Sequence, residues 1–262
     1  MTLDSATITA LANRLEEAER KRAPITKITD EFPDLDFDDA YAIQNAIRES
    51  KINAGLRVAG LKAGLTSQAK MKQMNVDEPV FGFLCDEGAF PDGGEIERDH
   101  FIAPRIEAEI AFVTNAELAG PGCHLAQVLA ATEFVMPAVE ILDSRYENFR
   151  FDLISVVADN TSAAGFVTGG RARTLGALDL RTLGLVVEKN GAVVEVGAGA
   201  AVLGHPAASV AMLANHLARR GEAIPAGSFV MTGGITAALA VERGDNIAVR
   251  FQDLGSVSMR FV

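Results

Sequence analysis

The run Arg105-Ile106-Glu107-Ala108-Glu109-Ile110-Ala111-Phe112-Val113 constrains this chain more than any other stretch. Ile106, Ala108, Ile110 and Phe112 alternate with the positions between them, the period-two pattern of a β-strand with one buried face. Successive strand side chains point to opposite faces, so Glu107 and Glu109 project together from the other one. Their Cα atoms then lie roughly 6.5–7 Å apart, from a rise of about 3.3 Å per residue. Two carboxylates held that close on an apolar strand repel each other unless something positive sits between them. A third acid, Glu140, stands in Pro137-Ala138-Val139-Glu140-Ile141-Leu142, another β-like run. Brought to one place, three such acids make an oxygen cage for a hard divalent cation. Taken alone, a Glu-x-Glu pair such as Glu107 and Glu109 is more often a solvated sheet face than a ligand pair.

With 262 residues the chain can bury one large core, or a core and a small N-terminal unit. The formal net charge is −11, and no basic run is longer than Arg20-Lys21-Arg22. Nucleic acid is therefore excluded as a partner, because phosphate binding needs a basic footprint. An anionic substrate has to be held by local charge, such as a cation or a single lysine. Two cysteines, Cys85 and Cys123, form no disulfide framework and point to a reducing compartment. Met1-Thr2-Leu3-Asp4-Ser5 has neither a basic n-region nor an apolar h-region, and no uncharged run reaches membrane-spanning length. A soluble cytoplasmic protein that neither enters nor spans a membrane is expected.

In chain order, residues 4–22 read as an amphipathic helix capped by Asp4 or Ser5, with Ile8, Leu11, Leu15 and Ala18 at helical spacing. A second helix runs from about Asp36 to Ala54, with Asp36 and Asp39 as a capping pair and Gly55 as the stop. Leu56 to Leu65 is a buried strand carrying Lys62. That lysine either snorkels to water or serves a dry site, as donor to an anionic oxygen, as base or as imine former. Thr66-Ser67 caps a short helix through Gln73, and Pro91-Asp92-Gly93-Gly94 is a turn. A helix is predicted from His124 to Phe134, ahead of the Glu140 strand. Asp143 and Arg145 follow it, either as functional loop residues or as an ion pair with each other. A short helix over Asp152 to Val157 precedes Ala158-Asp159-Asn160-Thr161-Ser162. That polar stretch suits a backbone turn and also carboxylate binding through hydroxyls and N–H groups. A strand Ala163 to Thr168, an Asn190-Gly191 hairpin, a helix over 206–220 and several C-terminal strands complete the reading.

Gly60-Leu61-Lys62-Ala63-Gly64-Leu65-Thr66-Ser67, the Glu107/Glu109 strand, Glu140 to Arg145, Ala158-Asp159-Asn160 and Thr232-Gly233-Gly234 occur in that order. Together they resemble the 2-keto-4-pentenoate hydratase and decarboxylase branch of the fumarylacetoacetate hydrolase superfamily, over essentially the whole chain. Asp143 to Leu153 and Leu254-Gly255-Ser256-Val257-Ser258 lean towards the decarboxylases of that branch.

The resemblance implies an α+β fold. Its mixed β-roll core is of the fumarylacetoacetate hydrolase C-terminal type and carries an N-terminal helical lobe. The division would be 1–55 for the helical region and 56–262 for the catalytic β-roll, as one compact unit. It also implies a bound Mg2+ or Mn2+ on Glu107, Glu109 and Glu140, with Lys62 as the active-site lysine. Related hydratases carry an acid within Asp77-Glu78-Pro79-Val80-Phe81-Gly82, and in this alignment Val80 holds that place, with Glu78 two residues away.

The activity implied is metal-dependent decarboxylation of 2-oxohex-3-enedioate, a 2-oxo dicarboxylate, to 2-hydroxypenta-2,4-dienoate and CO2. Ser162 and the Thr232-Gly233 turn are candidates for holding the substrate carboxylate, and Val80 for an apolar wall. The alternatives are hydration of 2-hydroxypenta-2,4-dienoate on the same scaffold, imine chemistry through Lys62, and a non-catalytic subunit of a partner enzyme. A homo-oligomer and a complex with 2-keto-4-pentenoate hydratase are further implications of the resemblance.

Overall fold

The structure, a computed structural model, describes residues 3–67, 71–72 and 78–262. Helix α1 (Ser5–Lys21) begins where Asp4 accepts a hydrogen bond from Thr7 N at 2.7 Å. Helix α2 (Phe37–Asn53) begins at the Asp36/Asp39 capping box. Both starts follow the sequence pattern, since the acids satisfy N–H groups that the first helical turn leaves orphaned. The short helix expected up to Gln73 lies largely outside the described residues. No described helix is long and apolar enough to cross a membrane.

The remaining elements are mostly strands: β1 (Val58–Gly64), β2 (Val80–Cys85), β3 (Ala89–Phe90), β4 (Gly94–Ile96) and β5 (Arg105–Thr114). Helix α3 (Leu125–Ala130) precedes β6 (Thr132–Leu142), and helix α4 (Leu153–Ala158) precedes β7 (Ala163–Thr168). Then come β8 (Gly184–Lys189), β9 (Ala192–Ala198), helix α5 (Pro206–Ala218), β10 (Phe229–Met231), β11 (Leu239–Ala240), β12 (Asn246–Phe251) and β13 (Gly255–Phe261). The helix expected from His124 to Phe134 is shorter than its pattern, because Phe134 and Thr132 pair with Val113 and Thr114 of β5. A ten-residue partner strand outweighs helical propensity at its margin.

One sheet has the order β2-β1-β10-β5-β6-β7-β3, with β11 also on β5; the other runs β4-β13-β12-β8-β9. Ile106, Ala108, Ile110 and Phe112 of β5 join Val249, Val257 and Phe261 of the second sheet in the main core. The opposite face of β5 lines the inside of a curl. There Ala111, Ala138, Phe166, Met231 and Leu84 form a smaller apolar plug.

The curl returns β2 to the side of β7 without pairing the two. Side chains cap the open edge of β2 instead. Asn160 accepts from Phe83 N at 3.0 Å and donates to Phe83 O at 2.9 Å, as a neighbouring strand would. Two residues along, Phe81 N donates to Tyr41 Oη at 3.3 Å, and Gln44 Nε2 donates to Phe81 O and to Val157 O, each at 2.9 Å. Strand groups that would otherwise be buried without partners are thus satisfied. Helices α1 and α2 pack over this edge through Leu15, Ile43 and Ile47, against Val80, Phe83 and Val157.

Asn160 belongs to a turn in which three consecutive residues have left-handed backbone: Asn160 (φ 47°), Thr161 (φ 54°) and Ser162 (φ 59°). Such geometry costs roughly 1–2 kcal/mol per residue. A buried ion pair braces it. Arg145 meets the Asp159 carboxylate through Nε, donates to Asp159 O, and reaches Asp143 O at 2.8 Å and Ala163 O at 3.1 Å. Burial lifts the Asp159 carboxyl to about 6 even with Arg145 beside it. The Asp143–Arg145 ion pair weighed from sequence does not form, because the Asp143 carboxylate accepts from Ile102 N and Ala103 N at 2.7 Å each.

Removing one member of a buried pair leaves an uncompensated charge, whereas removing both leaves none. Asp159→Ala should therefore lose about 3–5 kcal/mol of unfolding free energy in urea titrations. Arg145→Met/Asp159→Leu should lose clearly less than the single variant. Equal losses would show that the pair is not what braces the turn.

Candidate metal-centred active site

Strands β5 and β6 pair in a register that places Glu107 opposite Glu140 and Glu109 opposite Ala138. The three carboxylates face the inside of the curl. One oxygen from each lies within 4.8 Å of the others, so the cluster anticipated from the alternation is present. Like charges facing each other across a strand pair are destabilising, and here Glu109 and Glu140 are fully buried as well. Something positive has to be near.

Among the described residues, Lys62 supplies a positive charge. It is 1% exposed, so the snorkelling alternative does not hold. Its Nζ is 2.6 Å from Glu140 Oε1 and donates to Thr161 O at 3.2 Å. One ammonium does not satisfy the cluster: Glu109 Oε1 and both Glu140 oxygens have no hydrogen-bond partner, so the Glu140 contact is electrostatic rather than a well-aligned hydrogen bond. Burial first, then the neighbouring Glu140, push the Glu109 carboxyl well above the usual carboxylate range, with Lys62 opposing. Burial also lifts Glu140, against the pull of Lys62. Oxygen-only and acidic, with the Glu109 and Glu140 carboxylates buried and three of their oxygens unpaired, this donor set fits a hard divalent cation.

The Thr232-Gly233-Gly234 turn shapes the cluster. Gly233 N donates to Glu109 Oε2 at 2.7 Å, and Thr232 Oγ1 donates to Ile110 O at 2.7 Å. These groups are committed to Glu109 and the β5 backbone, which leaves neither free for the substrate carboxylate expected there. A side chain at Gly234 would land on the Glu107 carboxylate, and one at Gly233, where φ is +99°, on Thr66. The turn was singled out from sequence for substrate binding, but the close approach of Gly234 to Glu107 was not; an adjacent glycine pair beyond a buried strand was the available signal.

Val80 lies opposite Gly64 in the β1–β2 pairing, on the same face as Lys62, and is buried. Glu78 is turned to the surface and paired with Arg219. Of the two, Val80 is the one on the Lys62 face of the sheet. The Ser162 hydroxyl is 3.5 Å from Asp159 Oδ2, tied to the Arg145 pair and not to the carboxylate cluster. Chemistry, not volume, marks this site. The cavity of about 740 Å³ lined by Glu16, Lys51, Glu87 and Asp143 does not touch the three acids.

No family model matches the sequence. Individual proteins do. The chain is 62% identical over 261 residues to a 4-oxalocrotonate decarboxylase of Pseudomonas sp. (strain CF600), covering 100% of this chain and 99% of that one. The chain belongs to the 4-oxalocrotonate decarboxylase family. A solved structure of a family member, the enzyme from Pseudomonas putida G7 complexed with magnesium and adipate, superposes with a TM-score of 0.98. It is 59% identical and covers 100% of this chain and 99% of that one. A hydratase is more distant: the 2-oxo-hept-4-ene-1,7-dioate hydratase of Escherichia coli is 39% identical over 265 residues, covering 99% of each chain. The family's scaffold is the α+β fold with a curled sheet described above.

The raised acids give the site a signature in stability. An acid whose folded-state pKa is raised favours the fold below its unfolded value, about 4.3, and that contribution is lost as pH rises through the raised value. Metal-free protein should therefore lose thermal stability from mildly acidic to neutral pH, and magnesium should restore it. Glu109→Gln removes one of the crowded charges. At neutral pH the metal-free melting temperature should rise by about 2–4 °C per kcal/mol relieved, and the gain on adding magnesium should vanish. A magnesium gain unchanged in Glu109→Gln would remove Glu109 from the metal set.

Proposed function

We infer that the chain catalyses the metal-dependent decarboxylation of 2-oxohex-3-enedioate (4-oxalocrotonate) to 2-hydroxypenta-2,4-dienoate, the enol of 2-oxopent-4-enoate, and CO2. The observation that carries this reading is the cluster of half-buried Glu107 with buried Glu109, Glu140 and Lys62, set in a chain that matches decarboxylases from end to end.

Glu107, Glu109 and Glu140 would hold a Mg2+ or Mn2+ ion, and the Gly233 N–H fixes the direction of Glu109. Once bound, the ion supplies Lewis acidity to the 2-oxo acid end of the substrate, where negative charge develops. In the substrate the electron pair of the C5–C6 bond moves to C4–C5, the C3–C4 pair moves to C2–C3, and the carbonyl pair moves onto the C2 oxygen. The C6 carboxylate leaves as CO2, and the C2 oxygen takes up a proton. Lys62, held by Glu140 and Thr161 O, presents a positive charge and a proton donor to that oxygen. Charge stabilised there more in the transition state than in the ground state lowers the barrier. Val80 and the apolar residues behind it keep water from the departing end.

Hydration is less favoured, because in the described part of the segment that carries an acid in hydratases Val80 is buried on the Lys62 face and Glu78 pairs with Arg219 at the surface. The Lys62–Glu140 contact suits a proton donor better than an imine former. A purely structural subunit would have no use for three crowded carboxylates. We also propose a cytoplasmic homo-oligomer that associates with 2-keto-4-pentenoate hydratase. Free Cys85 and Cys123 support the compartment, and the exposed Val193 (61%) and Val196 (66%) on edge strand β9 support an interface.

CO2 release from 4-oxalocrotonate should stop when metal is stripped by chelator and return with Mg2+ or Mn2+. Lys62→Met should lower kcat by about 10²–10⁴, without loss of magnesium binding by calorimetry. Full activity after complete metal removal would overturn the reading. Water addition to 2-hydroxypenta-2,4-dienoate in place of CO2 release would assign the hydratase instead.

A further inference from the structure

Five buried side-chain oxygens among the described residues lack a hydrogen-bond partner. Three belong to Glu109 and Glu140, and a cation accounts for them. Ser209 Oγ is on helix α5. The fifth is Thr161 Oγ1, in the residue whose carbonyl accepts from Lys62 Nζ. Buried polar atoms are nearly always paired, so an orphan hydroxyl next to the active-site lysine calls for a partner.

Three features place this hydroxyl. Thr161 is a β-branched residue at φ 54°, a conformation that β-branched side chains seldom adopt, and strain of that kind concentrates at functional sites. Its side chain rests on glycines: a Cβ at Gly82 would come within 2.8 Å of Thr161 Oγ1, and one at Gly64 would touch Thr161 Cβ and Val80. Its neighbour Ser162 is directed to Asp159, which leaves Thr161 as the hydroxyl of the turn without a partner. Glu140, Lys62, Thr161 and Val80 thus form a path from the acidic cluster to the apolar wall. A six-carbon diacid with its 2-oxo acid end at the carboxylates would extend along that line of side chains.

We propose that the Thr161 hydroxyl donates a hydrogen bond to the distal carboxylate of the substrate, making Thr161 a specificity-determining residue for dicarboxylates. This rests on the decarboxylase reading above. The hydroxyl orients the leaving carboxylate, and the left-handed turn is kept because it turns both the Thr161 carbonyl to Lys62 and this hydroxyl to the substrate.

The test compares 2-oxoadipate with 2-oxohexanoate, which share the 2-oxo acid end and differ in the distal carboxylate. Binding to the full-length, magnesium-loaded protein is measured by calorimetry, with melting temperature recorded for each variant. Thr161→Val, of the same shape but without the hydroxyl, should weaken 2-oxoadipate at least tenfold and leave 2-oxohexanoate within about twofold. Thr161→Ser should bind both as wild type does. Thr161→Gly, which relieves the backbone, should melt no lower than wild type yet share the selective loss. Equal weakening of both ligands, or of neither, in Thr161→Val and Thr161→Gly would overturn the proposal. Wild-type turnover of 4-oxalocrotonate, followed in parallel, checks the decarboxylase reading by itself.

Discussion

The Glu107–Glu140 cross-strand pair, with Glu109 beside it, is the constraint to which the rest of the structure answers. Like charges opposite each other in a sheet interior are unfavourable, and each compensating group comes from a different part of the chain. Lys62 comes from β1, three strand positions from β6 through β10 and β5. On a flat sheet that separation is about 14 Å, at roughly 4.8 Å per strand. Extended lysine and glutamate side chains together span only about 10 Å with bonds of about 1.5 Å. The 2.6 Å contact between Lys62 and Glu140 therefore requires the sheet to curl. The curl in turn exposes the edge of β2, and Tyr41, Gln44 and Asn160 are what close it. The N-terminal helices are thus coupled to the electrostatics of the acidic cluster through one strand edge.

That dependence explains which parts were legible in the sequence. The alternation in Arg105–Val113 and the single acid in the next strand fix which face each glutamate takes, because strand periodicity is local. Helix starts at Asp4 and Asp36 are local as well, and both were read correctly. Partner choice is not local. Arg145 passes over Asp143, two residues away, for Asp159, since the Asp143 carboxylate is already engaged by two N–H groups of a distant loop. Thr232 and Gly233 looked like substrate contacts for the same reason: a Thr-Gly-Gly turn offers donors, and only the fold shows that Glu109 and Ile110 use them.

The choice between Thr161 and Ser162 was illegible for a different reason. Either hydroxyl suits a carboxylate, and which of them is tied to Asp159 and which is left unpaired depends on a run of three left-handed residues that contains no glycine. Local propensity disfavours that run at every position. It persists because Asn160 is clamped to both backbone groups of Phe83, and Asp159 to Arg145, on either side of the strain. Where local preference and tertiary structure conflict in this way, a functional reason is the expectation, which is what the proposal for Thr161 supplies.

Decarboxylation moves charge, and the two ends of the site differ in the right sense for it. In the proposed pose, three carboxylates, a lysine and the cation they would hold lie at the end where the oxygen gains charge. At the other lie Val80, two glycines and one neutral hydroxyl, where charge is lost. A charged anchor for the leaving carboxylate would stabilise the ground state as much as it oriented it, because charge-assisted hydrogen bonds are roughly twice as strong as neutral ones. A neutral donor orients with less of that penalty. A hydratase faces no such requirement, since it keeps every carbon and has to deliver water. The same curled scaffold can therefore serve both chemistries, with the change concentrated at the end away from the metal. There an acid in place of Val80 would bring in a proton and water together with the charge that decarboxylation has to shed.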